Sequence, residues 1–220
     1  KFAADAVGID DTFVVANGDI MTALPIADLV KFHRDIGREA TIHLTPVDDP
    51  SSFGVVELSA ENLVQRFVEK PARGDTSSNL INAGTYVMEP SVLDRIPADV
   101  PVSVERATFP QLVADGELAG YPTEDTWIDT GRPELYLEAN LVYADSAEAV
   151  VRSQVATSAR LSNVVADGAT IEDGAVVQHS VLLPGAVIEA DARVDKSLVW
   201  GRVTSGASVT EAVVGEDGVV

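Results

Sequence analysis

From residue 163 onward the chain repeats itself: NVVADGATIEDGAVVQH, SVLLPGAVIEADARVDK, SLVWGRVTSGASVTE, AVVGEDGVV. The first two units are 17 residues long and the third is 15. Val165, Ile171, Val177 and Leu183 stand six residues apart, as do Ile188 and Val194, then Val203 and Val209. A six-residue apolar period fits neither the 3.6 of a helix nor the 2 of a flat strand. It suits a parallel β-solenoid in which each flat face takes one hexad and three hexads close a coil. The apolar residue points inward, and Gly or small residues make the turns. About three such coils fit, with the last ending on Val220 and its edge open to self-association.

This texture begins near Val155. Upstream, to about Ser146, strand-like and helix-like segments alternate, the α/β pattern. Phe13–Ala16 opens FVVANGDI as an apolar run that reads as a buried strand. Pro25 then starts a helix that Gly37 stops, with Ile26, Leu29, Val30 and Ile36 at helical spacing. ATIHLTPV alternates Ile42 and Leu44 with Thr41, His43 and Thr45, predicting a strand with one wetter face. FGVVELSAENLVQRFVEKP reads as two strands joined by SAEN, and TYVM as a short strand. SVLDRI and ERATFPQLVADG read as short helices, and Pro133 opens a last helix through ELYLEANLVYA. The expected division is 1–150 and 151–220.

Charge narrows the partners. The 35 acids against 15 bases give a formal charge of -20, whose field repels phosphate backbones and excludes a nucleic-acid binder. No apolar run reaches the roughly 18 residues of a membrane helix, and no leader pattern opens the chain. With no cysteine for disulfides or thiolate metal sites, the expectation is a cytoplasmic protein without membrane contact.

Four stretches place polar groups at strand ends, where open α/β sheets bind ligands. NGD delivers Asp19 behind an Asn-Gly turn; such an Asp is also a common turn former. FVEKP ends a strand on Glu69 and Lys70, with Pro71 turning the chain out of the sheet. That pair is either a surface ion pair or a site meeting a phosphate. INAGTYVM offers Asn82 as donor and acceptor beside Ala83 and Gly84, where a ligand can approach the backbone. WIDTG holds Asp129 between Trp127 and Gly131. Two carboxylates such as Asp19 and Asp129 converging on Mg2+ are a common phosphoryl-transfer arrangement, because the hard cation takes oxygen ligands. The remaining candidate is His179, which the repeat places on a turn facing solvent.

The repeats resemble the left-handed parallel β-helix of hexapeptide-repeat proteins, which serves as an acyltransferase domain or as an appendage for oligomer contacts. The order NGD, FGVVE, FVEKP, NAGTYV, WIDTG, then hexads, resembles the sugar-1-phosphate nucleotidyltransferases. INAGTYV and VSVERATFP look most like the mannose-1-phosphate guanylyltransferase branch. The resemblance implies a partial Rossmann-like α/β nucleotidyltransferase domain followed by that β-helix, and a homo-oligomer built through it. It implies a nucleoside triphosphate and a sugar 1-phosphate as substrates and Mg2+ as cofactor. Asp19 and Asp129 would ligate the ion, Lys70 would hold the sugar phosphate, Glu69 would take sugar hydroxyls, and Gly54, Asn82 and Gly84 would line the sugar pocket. The family's GGxGTRLxPLT loop, whose amides cradle the triphosphate, does not occur in this sequence. With Lys1 in place of Met, the expectation is a piece of a longer enzyme that forms no nucleotide sugar by itself. The alternatives are a non-catalytic scaffolding homologue that pairs with an active paralogue, and a β-helix acyltransferase using His179.

Overall fold

The computed structural model describes residues 1–72, 75–144 and 163–219, and the chain divides into two compact units, Lys1–Trp127 and Ile128–Val220. The expected boundary at 150/151 lies outside the described residues.

The first unit is built around β6 (Leu80–Met88). Along one side of it runs β3 (Ala40–Pro46), antiparallel, with β7 (Leu118–Pro122) parallel beyond. The other side is shared by β1 (Phe13–Ala16), opposite Thr85–Met88, and β4 (Gly54–Leu58), opposite Ile81. Next to β4 lies β5 (Val64–Glu69), joined to it by the anticipated turn. A short strand β2 (Ile20–Thr22) follows β1, and α1 (Phe2–Val7) precedes it. One face of the sheet packs Ile42, Leu44, Val56, Tyr86 and Met88 against Phe109 and Leu112 of α4 (Phe109–Asp115). Each such side chain contributes about 1.5–3 kcal/mol of burial. A short helix α3 (Ser91–Asp94) buries Val92 in the same core. The opposite face takes α2 (Ile26–Ile36) through Leu29, and α2 ends at Gly37 in the left-handed conformation as expected.

Three readings of the sequence need correction. The strand β3 has no wet face: Thr41, His43 and Thr45 are buried under the α2 layer. Hydrogen bonds replace the water: Thr41 Oγ1 meets His33 Nδ1 at 2.8 Å, and His43 Nε2 meets Thr123 Oγ1 at 2.8 Å. The run TYVM is the end of a nine-residue strand that already includes Asn82 and Gly84. The apolar β1 forms but is not buried: among the described residues it pairs only with β6, and Val14 and Val15 are exposed.

Burial lowers the His43 pKa to about 4 from the ordinary 6.5, with Asp125 opposing the shift weakly. Because the folded value lies below the unfolded one, the unfolded chain binds the extra proton as pH falls through 6.5. Stability is therefore full above that pH and declines toward pH 4, by ~3 kcal/mol from this residue. Denaturant melts of His43→Gln and the parent chain check this. The variant should lose most of the pH slope between 6.5 and 4.

The second unit contains α5 (Pro133–Ala144) and the solenoid. Its strands are β9 (Val164–Val165), β10 (Thr170–Ile171), β11 (Val176–Gln178), β12 (Val181–Leu182), β13 (Val187–Ile188), β14 (Arg193–Asp195), β15 (Leu198–Val199), β16 (Arg202–Val203), β17 (Ser208–Thr210), β18 (Val213–Gly215) and β19 (Gly218–Val219). They form parallel sheets β10-β13-β16 and β11-β14-β17, and a third, β9-β12-β15-β18, that β19 closes by folding back antiparallel. This is a β-solenoid of about three turns, consistent with a left-handed β-helix. Val165, Leu182, Val199 and Val214 stand in one inward column, offset by the 17, 17 and 15 residues of the repeat units.

Leu182, and not the Leu183 of the six-residue spacing, enters the core. The coil has 17 residues because the corner at His179 is tight, and His179, Lys196 and Glu211 all take left-handed φ (46°, 46°, 50°) at equivalent places. Beneath these corners runs a buried polar ladder. The Ser180 N–H donates to Asn163 Oδ1 (2.9 Å), Ser197 N–H to Ser180 Oγ (3.0 Å) and Ala212 N–H to Ser197 Oγ (3.2 Å). Each serine hydroxyl in turn donates to a carbonyl two residues back, so every corner amide is satisfied by the coil below.

Candidate active site

The sheet of the first unit carries most of the residues singled out by the sequence, at the adjoining ends of β4 and β5 and within the neighbouring β6. Gly54 on β4 sits opposite Glu69 on β5, and a Cβ there would come within 2.9 Å of Glu69 Oε2 and 2.7 Å of the Phe67 ring. Glycine is required for close packing at this point, not for backbone freedom. Lys70 leaves the strand with φ 51°, a left-handed conformation that is disfavoured for a residue before proline. Its N–H donates to Phe53 O at 2.9 Å, which holds that conformation. The Lys70 side chain is exposed.

Asn82 and Gly84 lie inside β6. Asn82 Oδ1 accepts the Gly84 N–H at 3.1 Å, and Asn82 Nδ2 donates to the Tyr86 hydroxyl at 3.0 Å. Gly84 has φ 76°, and a side chain there would meet Asn17 Nδ2 at 2.8 Å. The Asn17 N–H donates to Gly84 O at 2.8 Å, which ties the NGD turn and hence the Asp19 segment to this point of β6.

Three residues belong to this cluster although the sequence reading gave them no role. Trp127, at the start of β8 (Trp127–Asp129), donates Nε1–H to Ala83 O at 2.9 Å, and its ring meets Phe53 edge-on at 5.7 Å. Tyr86 packs on Phe109 at 5.3 Å between ring centres. Burial pushes its hydroxyl pKa up to about 12, the Asn82 hydrogen bond lowers it, and the nearby Glu105 and Glu69 carboxylates add to the rise. Tyr86 is thus a protonated hydroxyl close to Glu69. A buried aromatic with a polar tip beside an Asn four residues earlier was a usable signal for it.

Glu105 and Arg106 stand at a helix start: Ser103 Oγ accepts the Arg106 N–H at 3.2 Å and donates to Glu105 at 3.1 Å. Asp129 belongs to the second unit, where its Oδ1 accepts the Gly131 N–H at 2.9 Å. Among the described residues no group of three or more His, Asp and Glu gathers as a metal site. Asp19 and Asp129 each offer carboxylate oxygens of the kind a hard cation takes. In the solenoid His179 is exposed, with Nδ1 at 3.2 Å from Asp195 Oδ1, and its corner is shared by Lys196 and Glu211, themselves paired at 3.3 Å. No described helix is long and apolar enough to cross a membrane.

Comparison with known proteins places the chain in a family. The nucleotidyl transferase family profile matches residues 1–146. A probable mannose-1-phosphate guanylyltransferase of Oryza sativa subsp. japonica is 38% identical over 216 residues, covering 96% of this chain and 59% of the relative. The mannose-1-phosphate guanylyltransferase of Mycobacterium tuberculosis is 36% identical over 205 residues, covering 91% and 56%. The chain thus spans less than two thirds of the length of these relatives. Among solved structures, a putative glucose-1-phosphate thymidylyltransferase from Bacillus anthracis shares the fold with a TM-score of 0.58, at 24% identity, over 66% of this chain and 59% of that one. Profile, relatives and fold agree: the chain belongs to the nucleotidyl transferase family, with sequence similarity over most of its length to mannose-1-phosphate guanylyltransferases.

Proposed function

We propose that this chain carries the sugar-phosphate side of a mannose-1-phosphate guanylyltransferase site. The observation that supports this best is that Gly54, Glu69 and Lys70 stand at the adjoining ends of β4 and β5, in the same sheet as Asn82 and Gly84 of the neighbouring β6. Lys70 would hold the phosphate of mannose 1-phosphate as a point charge. Glu69 would accept hydrogen bonds from sugar hydroxyls, and the protonated Tyr86 hydroxyl beside it would donate one. Gly54 lets the Phe67 ring and the Glu69 carboxylate pack close to the backbone at the edge of the sugar pocket, Gly84 does the same for the Asn17 amide, and Asn82 holds Gly84 and Tyr86 in place.

In the reaction a phosphate oxygen of the sugar 1-phosphate attacks the α-phosphorus of GTP in line, and the bond to the bridging oxygen breaks to release pyrophosphate. No covalent enzyme intermediate is needed, so positioning and charge neutralisation are what the protein supplies. Asp19 would serve as a carboxylate ligand of Mg2+, which would neutralise charge on the triphosphate.

Calorimetric titration tests the reading: mannose 1-phosphate should bind the chain, and free mannose should bind far more weakly. Without the Gly-rich loop, the chain alone should release no GDP-mannose or pyrophosphate from GTP and mannose 1-phosphate, which a coupled pyrophosphate assay checks. Turnover by the purified chain would refute that part of the proposal.

A further inference from the structure

The turn between β1 and β2 carries a reactive dipeptide. Six asparagines occur in the chain, at 17, 62, 79, 82, 140 and 163, and Asn17 is the one followed by glycine. In such a pair the glycine nitrogen can attack the asparagine side-chain amide, because no Cβ on the second residue hinders the approach. The fold decides whether that path is open. Asn17 and Gly18 are both exposed, and a Cβ on Gly18 would meet nothing within 4 Å. Among the described residues neither the Gly18 N–H nor the Asn17 side-chain amide has a hydrogen-bond partner. Other asparagine amides are held: Asn82 donates to the Tyr86 hydroxyl, Asn140 to Tyr136 O and Asn163 to Val177 O.

The place of Asn17 makes its conversion consequential. Its N–H donates to Gly84 O at 2.8 Å, the bond that ties the turn to β6. Its side chain lies over Gly84, where a Cβ would meet Nδ2 at 2.8 Å and Cγ at 3.1 Å. Packing against bare backbone is what holds the amide there. Asp19 follows two residues later.

We propose that Asn17 is a site of spontaneous modification, converting to aspartate and isoaspartate through a succinimide ring closed with Gly18, and that the conversion loosens the Asn17–Asp19 turn from β6. Water is the only co-reactant. Hydroxide takes the Gly18 N–H proton, and the nitrogen attacks Asn17 Cγ. That carbon–nitrogen bond forms as the Cγ–Nδ2 bond breaks, and Nδ2 takes a proton from water, regenerates hydroxide and leaves as ammonia. Water then opens the ring. Opening at Cγ gives aspartate. Opening at the main-chain carbonyl gives isoaspartate, in which the chain runs through Cβ and Cγ and is one bond longer. Either product adds a carboxylate close to Asp19, a like-charge neighbour in a chain of formal charge -20. The inference does not rest on the sugar reading, so titration with mannose 1-phosphate is unaffected by its failure.

The test is incubation of the folded chain at mildly alkaline pH, followed by trypsin digestion and mass mapping. Trypsin releases Phe2–Lys31, in which Asn17 is the one side-chain amide. This peptide should gain the mass of an amide-to-acid change and split into two chromatographic forms before any peptide holding another asparagine changes. Gly18→Ala should suppress the change and remain folded, since its Cβ has open space. In the converted chain, separated by ion exchange, the residue 17 amide should exchange with solvent about tenfold faster than in the fresh chain, the loss of one hydrogen bond. A Phe2–Lys31 peptide that keeps its amide in the folded chain overturns the assignment, and its conversion in guanidinium chloride would then show that the fold closes the path. Equal conversion of Gly18→Ala and the parent overturns it as well. Unchanged exchange after conversion overturns the loosening of the turn.

Discussion

Replacing Gly201 by Ala is expected to cost on the order of 3 kcal/mol or more, the upper range of overpacking effects, because the new methyl has nowhere to go. The third repeat unit is two residues shorter than the first two, and the structure locates the deletion. Val181 leads to Val187 in the second coil, but Leu198 leads to Arg202 in the third, so the chain cuts the corner at Trp200 and Gly201. There the Gly201 N–H donates to Val214 O at 3.1 Å, and a Cβ on Gly201 would collide with the Gly215 carbonyl, which is main chain. The Trp200 ring already lies over Gly215, where a Cβ would stand 3.1 Å from it. Relief would require β18 to separate from β15. Thermal melts followed by circular dichroism check this against Gly18→Ala, whose Cβ meets nothing within 4 Å and which should stay within about 0.5 kcal/mol of the parent. Equal melting of the two variants would contradict the register of the third coil.

Substituting Lys70 by Ala should weaken mannose 1-phosphate binding about 10- to 100-fold, the loss of one charge-assisted contact to phosphate. The exposed Lys70 side chain makes a stability effect small, and Ala tolerates the left-handed φ no worse than Lys does. The fold should therefore survive, and the melting temperature is the control. Glu69→Gln separates the two halves of the site. It should reduce affinity for mannose 1-phosphate while leaving the weaker affinity for inorganic phosphate unchanged, because the carboxylate is assigned to the sugar and the ammonium to the phosphate. Parallel losses for both ligands would mean that Glu69 acts by shaping the pocket around Gly54.

How much of this was legible in the sequence depended on the range of the interactions involved. The α2 boundaries followed from Pro25 and Gly37, both local signals. The repeat units of 17, 17 and 15 residues predicted the solenoid register residue for residue. What the spacing missed was the side of the corner on which the leucine falls, since only a left-handed corner at His179 decides between Leu182 and Leu183. The burial of Thr41 and His43 was hidden because it depends on the α2 layer and on Thr123, 80 residues away from His43. In the site, Glu69, Lys70, Asn82 and Gly84 stood out because a polar pair or a small residue interrupts an apolar strand. Tyr86 and Phe53 did not, because an aromatic in a strand reads as core until its polar tip or its carbonyl has a partner. β1 was misread for the opposite reason: its apolar pattern describes a covered strand, and coverage is a property of neighbours.

The central claim is that the strand-end cluster receives a sugar phosphate, and one measurement addresses it directly. Titrating mannose 1-phosphate into the isotopically labelled chain and following backbone amide shifts by NMR should perturb Gly54, Glu69, Lys70 and Gly84 together, saturating with a single affinity. Saturable shifts confined to the solenoid around His179, or no saturable shift at these four residues, would contradict the account.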